Sequence, residues 1–397
     1  MSDTVGNHRP GKAVIIGAGI GGLTAAATLR RVGMDVEVYE RARELRPAGT
    51  ALTVMCNAVT ALRTIGIDLA PELDKHGRVF RTLHFRTSTG RPIREMRFGE
   101  LADRLGSTNY AVHRADLQQA LLRALGDDTP VHLDSTVTGF QVNGPEATVQ
   151  FADGRRVTAD VLIGADGFHS AIRRGLTGPE QPSEAGYVCW LATVPFTHPR
   201  FTEGFAAHYW APGQRFGLAD IGQGRAYWWG TLNMAPSAAR NWRGGKEGIL
   251  RAFDGWADEV RAVIEATPEK SVVTVPAQDR PFLERWGYGP VTLLGDAAHP
   301  MLTALGQGAA MAIEDAVALA ESLAGAHDLP RALRDYEARR RPRTRRMVQA
   351  SRSLSRIEQL DGPLPSRLRE LYFRFTPRSV FDKQNLSVLE YRAVAVS

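Results

Sequence analysis

Cysteine is nearly absent: only Cys56 and Cys189 occur in 397 residues, with no CxxC and no spacing that suggests a metal site. A disulfide framework and a bound metal are therefore not expected, and a reducing compartment fits best. No run of about eighteen apolar residues occurs, as a membrane span would need. The first twelve residues, MSDTVGNHRPGK, lack the apolar core of a signal peptide. A cytoplasmic protein without a membrane partner is expected. Charge of one sign is lacking too, since 49 Lys+Arg against 43 Asp+Glu leave only +6. That balance does not point to nucleic acid. The densest basic run, EARRRPRTRR from Glu337 to Arg346, continues the helical pattern ALRDYEA and reads as a solvated helix end. Internal repeats and low-complexity tracts are missing as well.

What is present is a chain long enough for two or three domains, with 43% hydrophobic residues to build their cores. Residues 12–40 read as a βαβ unit: the strand AVII, a glycine turn, the helix GLTAAATLRRV and the strand DVEVYE. Two further strand-turn-helix passages, DVLIGADGFHSAIRR and PVTLLGDAAHP followed by AAMAIEDAVALAESLAG, have the same texture and are expected to share one sheet. Between them, residues 186–234 alternate and are rich in aromatics, which predicts antiparallel strands, and RTLHFRTSTGRPIREMRF is expected to join them. SRSLSRIEQL and LPSRLRELYFRF suggest terminal helices that cover the core.

GAGIGG places Gly17, Gly19 and Gly22, with Gly21 between, on a strand-to-helix turn. In such a turn the first glycine permits the bend, the second lets a pyrophosphate approach the backbone and the third lets helix pack on strand. Glu40 ends the next strand about twenty residues on, where a carboxylate can accept hydrogen bonds from a ribose. That pairing serves NAD and FAD alike. A Pro-Gly loop and then a helix follow Glu40, in place of the short connection of a dehydrogenase.

GAGIGG with Glu40-Arg41, VHRADLQQALL, GADGFHSAIR and LLGDAAHP followed by GQGAAMAIEDA occur in this order. Over residues 12–350 the set resembles the single-component flavin-dependent aromatic hydroxylases, the group of the p-hydroxybenzoate, salicylate and urate hydroxylases. The resemblance implies an α/β fold: a Rossmann-like FAD-binding domain formed by 1–75, 102–176 and 276–350, an inserted antiparallel β-rich substrate domain at 76–101 and 177–275, and a helical segment at 351–397. It implies FAD contacts from the glycine turn, from Glu40 and Arg41 at the adenosine ribose, and from Thr53, Arg114 and Val137. Asp166, in the DG element, could instead cap the helix that follows it. Asp296 matches the carboxylate of the GD element, and His299 is expected to be structural.

The helix after GQG opens with backbone N–H groups that have no intrahelical partner, an anion site reinforced by the helix dipole. Gly306, Gln307, Gly308, Ala309 and Ala310 could there meet the N1 and C2 carbonyl edge of a reduced flavin. The resemblance further implies NADH or NADPH as electron donor, O2 as co-substrate and oxygen transfer through a flavin C4a-hydroperoxide. The substrate would be an aromatic or polycyclic small molecule, and the protein a monomer or homodimer. An FAD-dependent epoxidase or reductase acting on an isoprenoid and a non-enzymatic flavin-fold escort protein are the alternatives.

For the substrate roof, Tyr187, Trp190, His208, Trp210, Tyr227 and Trp229 offer aromatic surface, though alternation turns about half of them away. Arg215 and Tyr227 occupy positions similar to substrate contacts in urate hydroxylases; Arg215 could pair with an anionic substrate, and Tyr227 or His208 could act as base. Two departures matter: Thr303 stands where similar enzymes carry proline, and Ala304 where urate hydroxylases are acidic. A ring less polar than urate is expected.

Overall fold

The computed structural model describes residues 11–45 and 50–391; the loop expected at 47–49 lies outside them. β1 (Lys12–Ile16), α1 (Ile20–Arg31) and β2 (Asp35–Tyr39) form the βαβ unit. After β3 (Ala51–Val54) come the hairpin strands β4 (Leu83–Thr87) and β5 (Pro92–Met96), then β6 (Tyr110–His113) and α2 (Arg114–Leu125). β7 (Val161–Gly164) leads into α3 (Ala171–Thr177). β8 (Ser183–Pro195), β9 (Ala206–Ala211), β10 (Gln214–Asp220) and β11 (Arg225–Asn233) follow, and later β12 (Val273–Asp279). β13 (Val291–Leu293) precedes α4 (Gly308–Leu323), after which α5 (Leu329–Glu358), α6 (Pro363–Phe375) and α7 (Arg378–Leu389) close the described chain.

The three strand-turn-helix passages do share a sheet, in the order β13-β7-β1-β2 with Val131–His132 at the edge, all parallel. β7 and β13 are buried throughout, as a sheet covered on both faces requires. Alanines let α1 sit close to α4, where Thr28 Oγ1 donates to the Ala316 carbonyl at 3.1 Å.

The second sheet has seven strands in the order β12-β8-β11-β10-β9-β4-β5, so the 81–98 segment joins the aromatic strands as expected. Period-two alternation gives it two different faces. Trp190, Tyr209, Phe216, Leu218 and Trp228 point outward onto the helices Gly245–Ala252 and Asp258–Ala266. The other face looks toward the parallel sheet across a cavity.

Element boundaries differ from the expected domain limits in two places. β12 continues the second sheet to Asp279, past 276. α5 runs through 350, so SRSLSRIE is the end of that helix and starts no new one. The basic run therefore lies mid-helix and is no solvated end: Arg340 is buried and pairs with Glu314 at 2.8 Å and Asp315 at 2.7 Å, while Arg339 pairs with Glu321 at 2.7 Å. The helix continues through Pro342, which withholds an N–H from the ladder, with those anchors just before it.

Candidate active site

A cavity of about 1220 Å³ separates the two sheets. On its floor, the glycine turn follows sterics: Gly17 has φ +108°, and a Cβ on Gly22 would lie 1.9 Å from the Gly17 carbonyl oxygen. Gly21 packs against Leu294, but above Gly19 the nearest atom to an added Cβ is Arg114 Nη2 at 3.9 Å. Gly19, Gly21 and Arg114 thus border the cavity, and Arg114 is exposed into it at the start of α2. Glu40 lies behind the turn, accepting from Ala18 N at 2.8 Å and Ala42 N at 2.9 Å. Arg41 is exposed beside it, and Val137 is buried in the core away from the cavity wall. Asp166 accepts from Ser170 Oγ at 2.5 Å and Ala171 N at 2.6 Å, so it supports the first turn of α3 beside the N-cap, Ser170, while its neighbours Ala165 and Gly167 border the cavity.

The second turn meets the same cavity from the far side. Asp296 faces into the cavity, and the protein enclosing it there desolvates its carboxyl and pushes it above the usual carboxylate range, against the pull of His299 and Arg114. Thr53 Oγ1 donates to the Gly306 carbonyl at 3.2 Å, fastening β3 to the turn. α4 opens without an acidic residue in its first turn and without a side-chain cap; its first bond runs from Met311 N to Gln307 O at 2.8 Å. The N–H groups of Gly308, Ala309 and Ala310 are thereby left outside the helix ladder at the cavity end of α4.

Behind this turn lies a buried polar network that sequence reasoning missed. Asn57 Nδ2 donates to Gln307 Oε1 at 3.0 Å and to Glu314 Oε1 at 2.7 Å. Glu314 also takes Arg340 and Arg343. Asp315 receives Gly295 N at 3.1 Å and His299 Nε2 at 2.5 Å, which ties both ends of the GDAAH turn to the body of α4. Burial alone would raise the Asp315 carboxyl, but His299 and Arg340 hold it at about 2. The acidic pair in AIEDA and the arginine run were both visible in sequence; their meeting was not.

The roof is the inner face of the second sheet. Tyr227 and Trp229 on β11, Arg215 on β10, His208 on β9 and Phe85 on β4 border the cavity. The Trp229 indole lies across β10 where only glycine fits, since a Cβ on Gly217 would fall 2.0 Å from its ring. Its ring meets His208 edge-on with centroids 5.0 Å apart. Of the other aromatics, Trp190 faces the outer core, Trp210 packs on Phe85 and Phe373, and the Tyr187 hydroxyl lies 3.0 Å from Ser355 Oγ. The unforeseen member is Glu358, the last residue of α5, buried and ion-paired with Arg215. Its other oxygen lies 3.5 Å from His208 Nδ1. Burial holds the His208 imidazole below its usual pKa and raises the Tyr227 phenol.

Two bare helix N-termini, with Arg114 and Asp296 between them, suit an extended dinucleotide whose pyrophosphate takes one end and whose ring takes the other. The cavity exceeds the roughly 300–1,000 Å³ of an ordinary ligand pocket, leaving room for a second molecule. Residues 11–351 match the FAD binding domain family. The chain belongs to the FAD-dependent aromatic hydroxylases. Among relatives of this hydroxylase, an aurachin C monooxygenase/isomerase of Stigmatella aurantiaca is 34% identical, covering 95% of this chain and 97% of the relative. An FAD-dependent urate hydroxylase of Klebsiella pneumoniae is 33% identical over 86% of this chain and 88% of its own. The Klebsiella pneumoniae HpxO structure with FAD and uric acid superposes with a TM-score of 0.88 at 30% identity, covering 95% and 96% of the two chains. The hydroxylase is thus a flavoprotein monooxygenase that uses FAD. Family membership sets aside the escort-protein alternative.

Proposed function

We propose that this monooxygenase hydroxylates an aromatic or fused-ring molecule that enters neutral and loses a ring O–H or N–H proton inside the cavity. The observation that carries this reading is the Arg215–Glu358 ion pair. A guanidinium that already has a buried counter-ion offers no free positive charge to an anionic substrate. Thr303 and Ala304, also at the wall, bring no carboxylate either.

His208 is the base in this reading. With its proton on Nδ1 toward Glu358, the Nε2 edge is left toward the cavity to accept the ring proton. The imidazolium formed is then stabilised by the Glu358 carboxylate. Tyr227, kept protonated by burial, can donate to the ring oxygen. Phe85 and Trp229 supply apolar surface to fix the ring plane. For the cofactor, Gly19 and Arg114 would hold the pyrophosphate, Glu40 a ribose, Asp296 the sugar-like middle, and the Gly308 to Ala310 N–H groups the ring edge. Bound FAD supplies reduction by NAD(P)H and oxygen activation; the protein ionises and orients the ring and keeps water away.

A screen of phenols and naphthols against their methyl ethers tests this with FAD-loaded enzyme, following NAD(P)H oxidation and product mass. Free hydroxyl compounds should gain one oxygen atom, and the ethers should not. Equal hydroxylation of the ethers would overturn the reading.

A further inference from the structure

α6 is inverted for a helix on a protein surface. Its buried residues are Ser366, Arg369 and Phe373, while Leu364, Leu368, Leu371, Tyr372 and Phe375 are exposed. Steps of four, three and four residues put Leu364, Leu368, Leu371 and Phe375 on one stripe. With Ile357 and Val380 beside it, this region holds seven of the ten exposed large hydrophobics found among the described residues, so the exposure is a patch and not scatter. The helix is also locked this way round: Arg369 Nη1 donates to the Glu358 carbonyl at 2.7 Å, and its guanidinium lies 4.8 Å from the centre of the Trp210 ring. Rolling the leucines inward would break both contacts.

The chemistry around the stripe selects its occupant. Arg356, Arg367 and Arg374 are exposed on its flanks and form no ion pair among the described residues. Ile357 and Tyr372 belong both to the patch and to the cavity wall, so the cavity reaches this face. A second copy meeting the stripe across a two-fold axis would bring this arginine-flanked surface against itself. A lipid surface bearing phosphate meets both the apolar stripe and the cations.

We propose that this face of α6 docks on an anionic lipid surface, with Leu364, Leu368, Leu371 and Phe375 in the acyl boundary and the flanking arginines on headgroup phosphates. The helix would lie in the interface, about 20 Å long, and does not span it. No helix among the described residues is long and apolar enough to cross a membrane. Such docking differs from the sequence-based expectation of no membrane partner, which considered spans alone.

Flotation of the FAD-loaded protein with vesicles of phosphatidylcholine, alone or mixed with phosphatidylserine, tests the proposal without any turnover. Binding should rise with phosphatidylserine and fall with salt. Leu368→Glu with Phe375→Glu, and separately Arg367→Glu with Arg374→Glu, should each lower the bound fraction about tenfold or more while the bound-FAD spectrum stays native. Absence of binding to either vesicle, or binding indifferent to these substitutions, overturns it. So does a concentration-dependent dimer in light scattering that Leu368→Glu abolishes, which would assign the stripe to a second copy.

Discussion

His208 joins two environments that rarely meet on one side chain: a buried carboxylate at Nδ1 and a cavity wall made of Phe85 and Trp229. Burial lowers its pKa from 6.5, so the neutral base persists below that pH and is lost only as pH falls through the lowered value. The acid limb of kcat/KM should therefore lie below pH 6.5 in the wild-type enzyme. His208→Asn should cut kcat/KM roughly a hundredfold, remove that limb and leave FAD content unchanged; an acid limb surviving intact in this variant would assign the base elsewhere. At this scale the sequence was legible where backbone sterics dictate the residue. Gly17 and Gly22 admit no side chain, and their spacing from Glu40 is local. Glu358 was not legible, because it meets Arg215 across 143 positions and nothing in SRIEQL marks it. Strand alternation likewise separated the aromatics into two sets, but only the packed helices decide which set faces the cavity.

α4 combines two demands on one element. Its body is buried among apolar residues and must hold Glu314 and Asp315 against Arg340 and Arg343, while its first turn stays free of acid. The bare N–H groups make that first turn electropositive. Ala309→Asp would place a carboxylate where the ring edge of reduced FAD is expected. It should lower the midpoint potential of the bound flavin and weaken FAD binding about tenfold. Potentiometric titration beside Ala309→Ser separates charge from bulk: equal potentials in the two variants would argue against a charge-sensing turn. GQG before an apolar run announced this element, as the unpartnered N–H groups follow from helix geometry alone. The extent of α5 was not announced. Arginine clusters usually solvate a helix end, and only the acids of α4 explain why this one continues inward.

Across the whole molecule, the order of three αβ passages around an aromatic insert predicted the two sheets, since each passage carries its own periodicity. The limits between domains were less legible because β12 and α5 each cross an expected limit without a break in texture. α5 is about 45 Å long and is fixed at both ends. Tyr336 OH donates to the Leu293 carbonyl at 3.1 Å beside the parallel sheet, and Glu358 pairs with Arg215 in the roof. The helix is therefore a gauge rod that sets the height of the chamber, and its phase matters as much as its length. One alanine inserted after Arg346 would turn everything beyond it by about 100° and swing Glu358 off Arg215 and His208. The expected enzyme still binds FAD and oxidises NAD(P)H but releases hydrogen peroxide in place of hydroxylated product; hydroxylation at the parental rate would show the rod to be slack. Seven inserted residues nearly restore the phase but lift the far anchor by about 10 Å. Neither insertion would spare the chamber, so new substrates are reached by exchanging wall residues while the rod keeps its length.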